Sequence, residues 1–240
     1  MSENNNKIRL VKFIAASGAA SRRKAGDLVK DGKINVNGTV CLDPSYAVGP
    51  EDKVFLNGSQ LSVEEIKYYI ALNKPRGYTC SNSDTHADKL AVDLIKTPTP
   101  ARLYSAGRLD RDSEGLIIFS NDGDFVAKLT HPSFSVRKRY IVETDIELND
   151  NILQRLMHGI IDEGEKLHAE NIEKIAPRKY RFTLNEGKKR EIRRMIKSAN
   201  ADVKRLKRIS IGDFTLPPDL LEGDFKILSS EEIKKLLLTL

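Results

Sequence analysis

An aspartate in front of an apolar run is the feature of this sequence best suited to chemistry. Asp110 lies in the segment 107–115, which places five charged residues between two glycines, and four apolar residues follow at 116–119. The apolar run predicts a buried strand. Asp110 would then lie in the turn at the mouth of a sheet, where a carboxylate is partly desolvated and still reaches a ligand. A turn aspartate also commonly caps its own backbone, so the residues alone leave a structural role open.

A basic segment is the second feature. Between Glu186 and Arg208 there are ten basic and three acidic residues, a net charge of +7, whereas the whole chain carries +6. A cluster of this density indicates a polyanionic partner, most simply nucleic acid. The alternative is a solvated helix face, which is what many lysine-rich surfaces are.

Helical periodicity divides the predicted helix 187–199 into two faces. An apolar stripe and a basic stripe both follow the spacing i, i+3, i+4, i+7, and their offset of two residues places them on nearly opposite faces. The apolar stripe is Ile192, Met195, Ile196 and Ala199, and the basic stripe is Arg190, Arg193, Arg194 and Lys197. An ordinary amphipathic helix explains the first stripe, but not why the outer face is almost entirely basic.

Two further candidate sites lie at strand ends. Tyr140 starts a predicted strand of alternating character, where a tyrosine is more often a core or rim aromatic than a catalyst. Lys74 and Arg76 belong to a turn that follows another predicted strand. The proline and glycine of that turn explain its shape but not its charge.

Common cofactor and metal signatures are missing from the sequence. It contains no Gly-x-Gly-x-x-Gly after a strand, no phosphate-binding Gly-Lys-Ser/Thr loop and no Gly-x-Ser-x-Gly elbow. Its two cysteines and four histidines have no ligand spacing. We therefore expect chemistry that uses no cofactor and no metal.

The chain divides into two predicted domains. A polar tail, predicted to be disordered, covers residues 1–6, a small domain covers 7–60, a linker covers 61–66 and a larger domain covers 67–240. The small domain is predicted to contain two helices and two hairpins whose strands meet at Asn-Gly turns, the strongest short-range hairpin signal.

The second predicted helix of the small domain has an unusual first turn. Ser21 is a suitable N-cap, and the next three residues are Arg22, Arg23 and Lys24. Cations are unfavourable at this end of a helix because of its dipole. We therefore predict that an RNA phosphate backbone uses them.

The larger domain is predicted to have an α+β fold. Its predicted strands are 67–72, 115–120, 139–144, 171–176, 180–185 and 202–209, and its predicted helices are 123–130, 149–158, 187–199 and 230–238. Strands in adjacent runs favour a mainly antiparallel sheet flanked by helices over strict βαβ alternation.

The sequence also bears on location. No apolar stretch approaches the roughly 18 residues that a membrane helix needs, and the N-terminus lacks the apolar core of a signal peptide. We expect a cytoplasmic protein that does not contact a membrane.

Taken together, these segments resemble one family. Residues 7–60 resemble the S4-like RNA-binding domain through Ala20-Ser21-Arg22-Arg23-Lys24-Ala25 and Ile34-Asn35-Val36-Asn37-Gly38. Residues 67–240 resemble the RsuA/RluB/RluE/RluF family of rRNA pseudouridine synthases. The matching motifs are Leu72-Asn73-Lys74-Pro75-Arg76-Gly77, Gly107-Arg108-Leu109-Asp110 through Asn121-Asp122-Gly123, Lys138-Arg139-Tyr140, and Glu186-Gly187 through Arg193-Arg194-Met195. The resemblance covers nearly the whole chain, with the motifs in order.

The resemblance implies the isomerisation of uridine to pseudouridine, in which the enzyme takes the base out of its stack. It assigns Asp110 as nucleophile or base toward the ribose, a task that suits a carboxylate because carboxylates stabilise a similar sugar cation in glycosidases. It assigns Tyr140 to stacking on the uracil and to proton transfer. Arg193 would pair with Asp110 and keep it ionised.

Substrate contacts are also implied by the resemblance. Arg108 would fill the gap that the flipped base leaves, and Arg22, Arg23 and Lys24 of the small domain would bind RNA. The further predicted substrate-binding residues are Lys74, Arg76, Arg190 and Arg194. Glu191 departs from the family pattern, which usually has glutamine there, and we expect it to organise nearby arginines.

The implied partner is ribosomal RNA or a pre-ribosomal particle, bound by a monomer. The form of the small domain favours 23S rRNA, with 16S rRNA and tRNA as alternatives. A non-catalytic RNA-binding or ribosome-associated protein would explain the basic surfaces equally well, but not an aspartate, a tyrosine and an arginine in matching motifs. An RNA methyltransferase is disfavoured because no Gly-rich cofactor loop is found.

Overall fold

The computed structural model describes residues 7–81 and 88–237. The predicted tail 1–6 and the last residue of the predicted helix 230–238 lie outside this part of the chain. Contacts divide the chain into two compact units. The N-terminal unit is Met1–Lys67 with Thr97–Arg102 and Asn121–Gly123, and the C-terminal unit is Tyr68–Lys96, Leu103–Ser120 and Asp124–Leu240. The domain boundaries derived from the sequence stay a prediction.

The N-terminal unit contains two helices and six short strands. In chain order they are β1 (Ile8–Arg9), α1 (Leu10–Ala16), α2 (Arg22–Lys30), β2 (Ile34–Val36), β3 (Thr39–Val40), β4 (Ala47–Val48), β5 (Val54–Leu56) and β6 (Ser59–Leu61). Four of the strands form a sheet in the order β3-β2-β5-β6, and β1 pairs with β4. The core lies between the helices and this sheet and includes Leu10, Ile14, Val29 and Ile34.

Local sequence explains these elements. Asn37 and Gly38 have φ values of 54° and 89°, and Asn57 and Gly58 have 48° and 85°. These left-handed pairs are typical of two-residue hairpin turns, and they join β2 to β3 and β5 to β6. The Oγ of Ser21 accepts a hydrogen bond from the Lys24 N–H at 3.3 Å, so the predicted N-cap is present.

The C-terminal unit contains the larger sheet. The strands of this unit are β7 (Tyr69–Lys74), β8 (Tyr104–Ala106), β9 (Glu114–Ser120), β10 (Lys138–Thr144), β11 (Ile160–Asp162), β12 (Glu165–Leu167), β13 (Asn171–Ala176), β14 (Lys179–Leu184), β15 (Val203–Ile211), β16 (Phe214–Thr215) and β17 (Phe225–Ile227). Its helices are α3 (Gly123–Thr130), α4 (Asp150–His158), α5 (Glu191–Lys197) and α6 (Ser230–Leu237), with 3-10 turns at Ala91–Leu94 and Pro132–Phe134.

Nine of these strands form one sheet. Its main order is β13-β14-β10-β15-β9-β7-β17, with β16 on β15 and β8 on β9. The pairing of β9 with β15 is parallel, and the other pairings of this sheet are antiparallel. The predicted α+β class with a mainly antiparallel sheet is therefore confirmed.

The parallel pairing depends on a glycine. Gly115 has φ +100°, and a Cβ built on it would lie 2.3 Å from the carbonyl oxygen and 2.9 Å from the backbone nitrogen of Arg208. No side chain fits in that space. The two strands therefore approach closely where the segment that contains Asp110 enters the sheet.

Helices α3 and α6 cover one face of the sheet. Phe125 and Leu129 of α3 and Leu236 of α6 share a buried cluster with Leu116 and Ile118 of β9. Every residue of β9 is buried, as expected for a strand covered on both faces.

The predicted elements of the larger domain are present, most with ends shifted by up to two residues. The exception is the predicted helix 187–199, which begins only at Glu191 because Arg190 before it has left-handed backbone, with φ 51°. The short strands β8, β16 and β17 and the hairpin β11–β12 were not predicted. In the described ranges, no helix is long and apolar enough to cross a membrane.

Candidate active site

Asp110 lies in the loop that joins β8 to β9. The turn is closed by its backbone, since the Asp110 carbonyl accepts a hydrogen bond from the Ser113 N–H at 3.0 Å. The Asp110 carboxylate is 36% exposed, and its Oδ2 lies 3.6 Å from Nη1 of Arg190. Because backbone groups close the turn, the Asp110 carboxylate faces the Arg190 guanidinium and solvent.

Lys74 holds this loop from below. Its side chain is fully buried, and its Nζ donates hydrogen bonds to the carbonyls of Pro75 at 3.0 Å, Asp110 at 3.2 Å and Ser113 at 2.6 Å. Burial lowers the pKa of Lys74 below its ordinary value. Its three donors are used by these carbonyls, two in the Asp110 loop and one in its own turn. A substrate contact of Lys74 stays a prediction for which this arrangement leaves no donor.

A cluster of two arginines and two aspartates forms beside the loop. Arg190 donates to both Asp112 carboxylate oxygens, at 3.3 and 3.4 Å, and Arg193 Nη2 lies 3.1 Å from Asp112 Oδ2. The expected ion pair between Asp110 and Arg193 is therefore replaced by two others: Arg193 pairs with Asp112, and Arg190 reaches Asp110. Arg193 also donates to the Asp112 carbonyl at 3.1 Å, which fixes its guanidinium below the turn.

Burial and neighbouring charges shift the pKa values of Asp112 and Arg193. Partial burial acts to raise the pKa of Asp112, but the hydrogen bonds from Arg190 and the charge of Arg193 outweigh it, so the pKa lies below its ordinary value. Burial lowers the pKa of Arg193, against the charges of Asp112 and Asp110. Sequence reasoning missed Asp112, although its position two residues after Asp110 in the same turn was an available signal.

A cavity of about 600 Å³ opens in front of Asp110. Its lining is Thr79, Cys80, Ser81, Gly107, Arg108, Leu109, Asp110, Arg111, Ser113, Tyr140, Leu184, Gly187, Lys188, Lys189, Arg190, Glu191, Ile192 and Leu206. Its volume lies in the range of small-ligand sites. Four predicted site residues, Asp110, Tyr140, Arg108 and Arg190, therefore share one cavity.

A second cavity adjoins the first. It has a volume of about 440 Å³ and is lined by Arg76, Gly77, Asp110, Arg111, Asp112 and Arg190. Arg76 is exposed here. Of the two cations predicted at the end of β7, Arg76 therefore reaches the site, whereas Lys74 is buried. The two cavities share Asp110, Arg111 and Arg190, which makes the carboxylate the point where they meet.

Tyr140 forms part of the cavity wall from the middle of the sheet. It is buried, and its neighbours on the adjacent strands are Phe182 of β14 and Arg208 of β15. Because both neighbouring strands pair with it, the backbone of Tyr140 has a fixed place in this wall. Such a wall suits stacking on a flat base.

Arg194 lies outside the site. Its side chain is 16% exposed and pairs with Asp162, with Glu165 at 2.6 Å and with Glu163 at 3.9 Å. It also donates to the Asp162 carbonyl at 2.7 Å. The substrate contact of Arg194 stays a prediction, and in this structure the guanidinium is held by these acidic partners instead. The two central arginines of the basic stripe, Arg193 and Arg194, are engaged inside the protein, and its exposed members are Arg190 and Lys197.

The three basic residues predicted for the start of the second helix lie there in the structure. Arg22, Arg23 and Lys24 form the first turn of α2, and all three are exposed. This turn contains no acidic residue, so its positive charge adds to that of the helix end.

Comparisons with known proteins match both units. Residues 68–198 match the family model described as RNA pseudouridylate synthase, and residues 8–54 match the S4 domain. The chain is 36% identical to ribosomal large subunit pseudouridine synthase B of Bacillus subtilis, with 95% of each protein covered. It is 31% identical to ribosomal small subunit pseudouridine synthase A of Escherichia coli K12, covering 94% of this chain and 98% of that protein.

A plant protein and a solved structure are also similar. The chloroplastic protein SVR1 of Arabidopsis thaliana, assigned as a ribosomal large subunit pseudouridine synthase, is 37% identical over 95% of this chain, which spans only 60% of that protein. A crystal structure of a pseudouridylate synthase superposes with a TM-score of 0.71 at 30% identity, covering 95% of this chain and 99% of the other.

Proposed function

The chain belongs to the RNA pseudouridylate synthase family, with an S4 domain ahead of the synthase domain, and on this premise we propose that it isomerises a uridine of ribosomal RNA. The proposed RNA is 23S, because the relatives with 37% and 36% identity are named for the large subunit and the relative with 31% identity for the small subunit. The reaction breaks the bond between N1 of uracil and C1′ of the ribose and forms a bond between C5 and C1′. The hydrogen on C5 leaves as a proton, and the freed N1 takes up a proton, so that product and substrate are isomers.

One observation carries the proposal: the half-exposed Asp110 carboxylate and the Tyr140 ring line the same cavity of about 600 Å³. A uridine taken out of its stack would place its base against Tyr140 and its ribose toward Asp110. Asp110 would act at the ribose as nucleophile or base while the glycosidic bond breaks. A carboxylate suits this role because positive charge develops on the sugar.

The arginines act around this carboxylate. Arg190 lies 3.6 Å from Asp110, so its guanidinium faces the carboxylate and would orient it toward the ribose. Arg193 acts indirectly, because it pairs with Asp112 and thereby holds the turn that contains Asp110. Arg108 and Arg76, both exposed at the cavities, would contact the RNA around the flipped base.

The N-terminal unit would supply a second RNA contact. Its exposed cations on α2 can bind phosphates without reading sequence, which increases affinity for a long RNA. We place the activity in the cytoplasm, on ribosomal RNA or a pre-ribosomal particle, as a monomer that uses its own side chains.

The test is the release of tritium from uracil C5 of labelled rRNA, because pseudouridine formation must expel that hydrogen. Asp110→Asn keeps the shape of the side chain but removes its charge and nucleophilicity, and we expect its rate to fall about 1000-fold or more. RNA binding by this variant should survive. Asp93→Asn, which changes an exposed aspartate outside both cavities, is the matched control and should keep the wild-type rate.

The substrates should be naked 23S rRNA, naked 16S rRNA and partly assembled particles. Release by Asp110→Asn at the wild-type rate would refute the role of Asp110. If the wild type bound these RNAs but released no tritium from any of them, the chain would be a non-catalytic RNA-binding protein.

A further inference from the structure

A buried carboxyl group lies in the cavity wall, and the proposed chemistry does not use it. Glu191, the first residue of α5, is 3% exposed and contributes to the lining of the larger cavity. Its Oε2 accepts a hydrogen bond from the Lys188 N–H at 3.0 Å. Within residues 7–81 and 88–237, no donor reaches its Oε1. The expected contact of Glu191 with arginines is not found there.

A second carboxyl group lies beside it. The two carboxyl groups meet at Lys188: Glu186 Oε1 accepts from its Nζ at 2.8 Å and Glu191 Oε2 accepts from its N–H at 3.0 Å, and a side-chain hydrogen bond links the two glutamates. Two adjacent carboxylates cannot both be ionised at ordinary cost, so one of them keeps a proton. That proton would supply the donor that the buried pair lacks.

The surroundings decide which group keeps the proton. Glu186 faces the Lys188 ammonium and the His168 imidazole, with Lys188 Nζ at 2.8 Å and His168 Nδ1 at 3.6 Å from its Oε1. Burial acts to raise the pKa of Glu186, but the hydrogen bonds from Lys188 and Glu191 outweigh it and lower the pKa. Glu191 lies deeper, and burial and the neighbouring Glu186 raise its pKa to about 7, against the Lys188 N–H and charge. From the sheet, Lys138 is the charge that faces Glu191.

We infer that Glu191 is a positioning residue whose protonated carboxyl donates a hydrogen bond to Glu186 and thereby closes the loop 187–190 against the cavity. This inference rests on the proposed function, since the loop matters only if the cavity takes a uridine. The two glutamates stand at the two ends of the loop. Their hydrogen bond joins these ends directly, and the Lys188 N–H ties Glu191 to the loop's middle.

The loop connects this pair to the reacting carboxylate. Arg190, its last residue, has left-handed backbone and reaches Asp110 and Asp112 with its guanidinium. Loss of the Glu191 proton would place two negative charges at the base of the loop. The resulting repulsion opens the loop and draws Arg190 away from Asp110. The closed form is the protonated form, so the rate should fall as the pH rises through about 7.

The experiment compares single-turnover rates of pseudouridine formation for the wild type and Glu191→Gln between about pH 6 and pH 9. The glutamine amide donates to Glu186 at every pH, and its carbonyl accepts from the Lys188 N–H. The ratio of wild-type to variant rates should therefore fall about 25-fold between pH 6.5 and pH 8.5, as a single ionisation near pH 7 requires. The ratio removes the titration of groups that both proteins share. Glu231→Gln, an exposed glutamate of α6, is the control and should follow the wild type.

A second readout does not depend on turnover. In protein labelled with ¹³C at glutamate carboxyls, the resonance that disappears in Glu191→Gln should titrate near pH 7. In Glu186→Gln, where the neighbouring charge is gone, its midpoint should move down by about one pH unit or more. A midpoint below about 5.5 in the wild type, or a rate ratio that does not change with pH, would overturn the inference. A wild type that makes no pseudouridine at any pH would refute the proposed function and the loop's catalytic role, while this titration would still decide whether the carboxyl pair shares a proton.

Discussion

At the scale of single residues, the position of Asp110 depends on a lysine that never meets solvent. Lys74→Met keeps the length of the side chain but removes the donor to the carbonyls of Pro75, Asp110 and Ser113, of which the Asp110 carbonyl keeps the Ser113 N–H. Because each unsatisfied buried acceptor costs roughly 1–3 kcal/mol and removal of a desolvated charge offsets part of this, we expect a loss of about 2–4 kcal/mol in the free energy of unfolding.

Urea denaturation followed by circular dichroism measures this loss. Lys128→Met, at an exposed position of α3, should change stability by less than about 0.5 kcal/mol. Turnover by Lys74→Met should fall further than its stability predicts, because the loop of Asp110 loses its anchor. A fully active and stable Lys74→Met would show that the ammonium does not hold the loop.

The same residues show how far sequence reasoning reached into the site. Asp110, Tyr140 and Arg190 were predicted, and they share a cavity because motif order and strand ends determine them. Lys74 and Arg194 were predicted to contact substrate, but the partners of Lys74 include carbonyls 36 and 39 positions away, and those of Arg194 lie in a hairpin that was not predicted. A sequence shows that a side chain is charged, but not which distant backbone groups will use the charge.

At the scale of elements, the junction of β9 and β15 depends on Gly115. Gly115→Ala would place a Cβ 2.3 Å from the Arg208 carbonyl oxygen in a backbone with φ +100°. The two strands would have to separate at the base of the Asp110 loop, and we expect a loss of about 3 kcal/mol or more in the free energy of unfolding.

Gly38→Ala separates the two causes of this loss. Gly38 also has positive φ, +89°, but a Cβ there meets nothing within 4 Å. Its replacement should cost only about 1 kcal/mol, the strain of a left-handed alanine. Equal losses in the two variants, measured by urea denaturation, would mean that the close approach of the strands adds nothing.

Elements were predicted where local sequence decides them and missed where tertiary contacts decide them. The Asn-Gly hairpins and the all-apolar strand β9 follow from residues within one short window. Strands β16 and β17 have two and three residues and exist because a neighbouring strand pairs with them. Helix α5 begins late because Arg190 turns toward the aspartates, and no periodicity could show that.

At the scale of the whole molecule, the basic residues fall into groups with different tasks. The +7 segment 186–208 does not form one RNA-binding face, since Arg193, Arg194, Arg205 and Arg208 are engaged with carboxylates or carbonyls inside the C-terminal unit. Charge density in the sequence therefore overstates the surface that this segment offers to RNA. The exposed cations of α2 in the N-terminal unit become correspondingly more important for affinity.

Arg22→Ala combined with Arg23→Ala tests this division of tasks. Each phosphate contact that is lost should flatten the dependence of log K on log salt by about 0.9 on duplex-like RNA, and affinity should fall at low salt. The rate at saturating RNA should stay close to that of the wild type, because the reacting groups lie in the other unit.

The control is Lys33→Ala combined with Lys53→Ala. It removes the same charge from exposed positions of the N-terminal unit outside α2 and should change the slope less. An equal change in both double variants would mean that RNA responds to the net charge of the N-terminal unit, and an unchanged slope in the arginine variant would remove α2 from the RNA path.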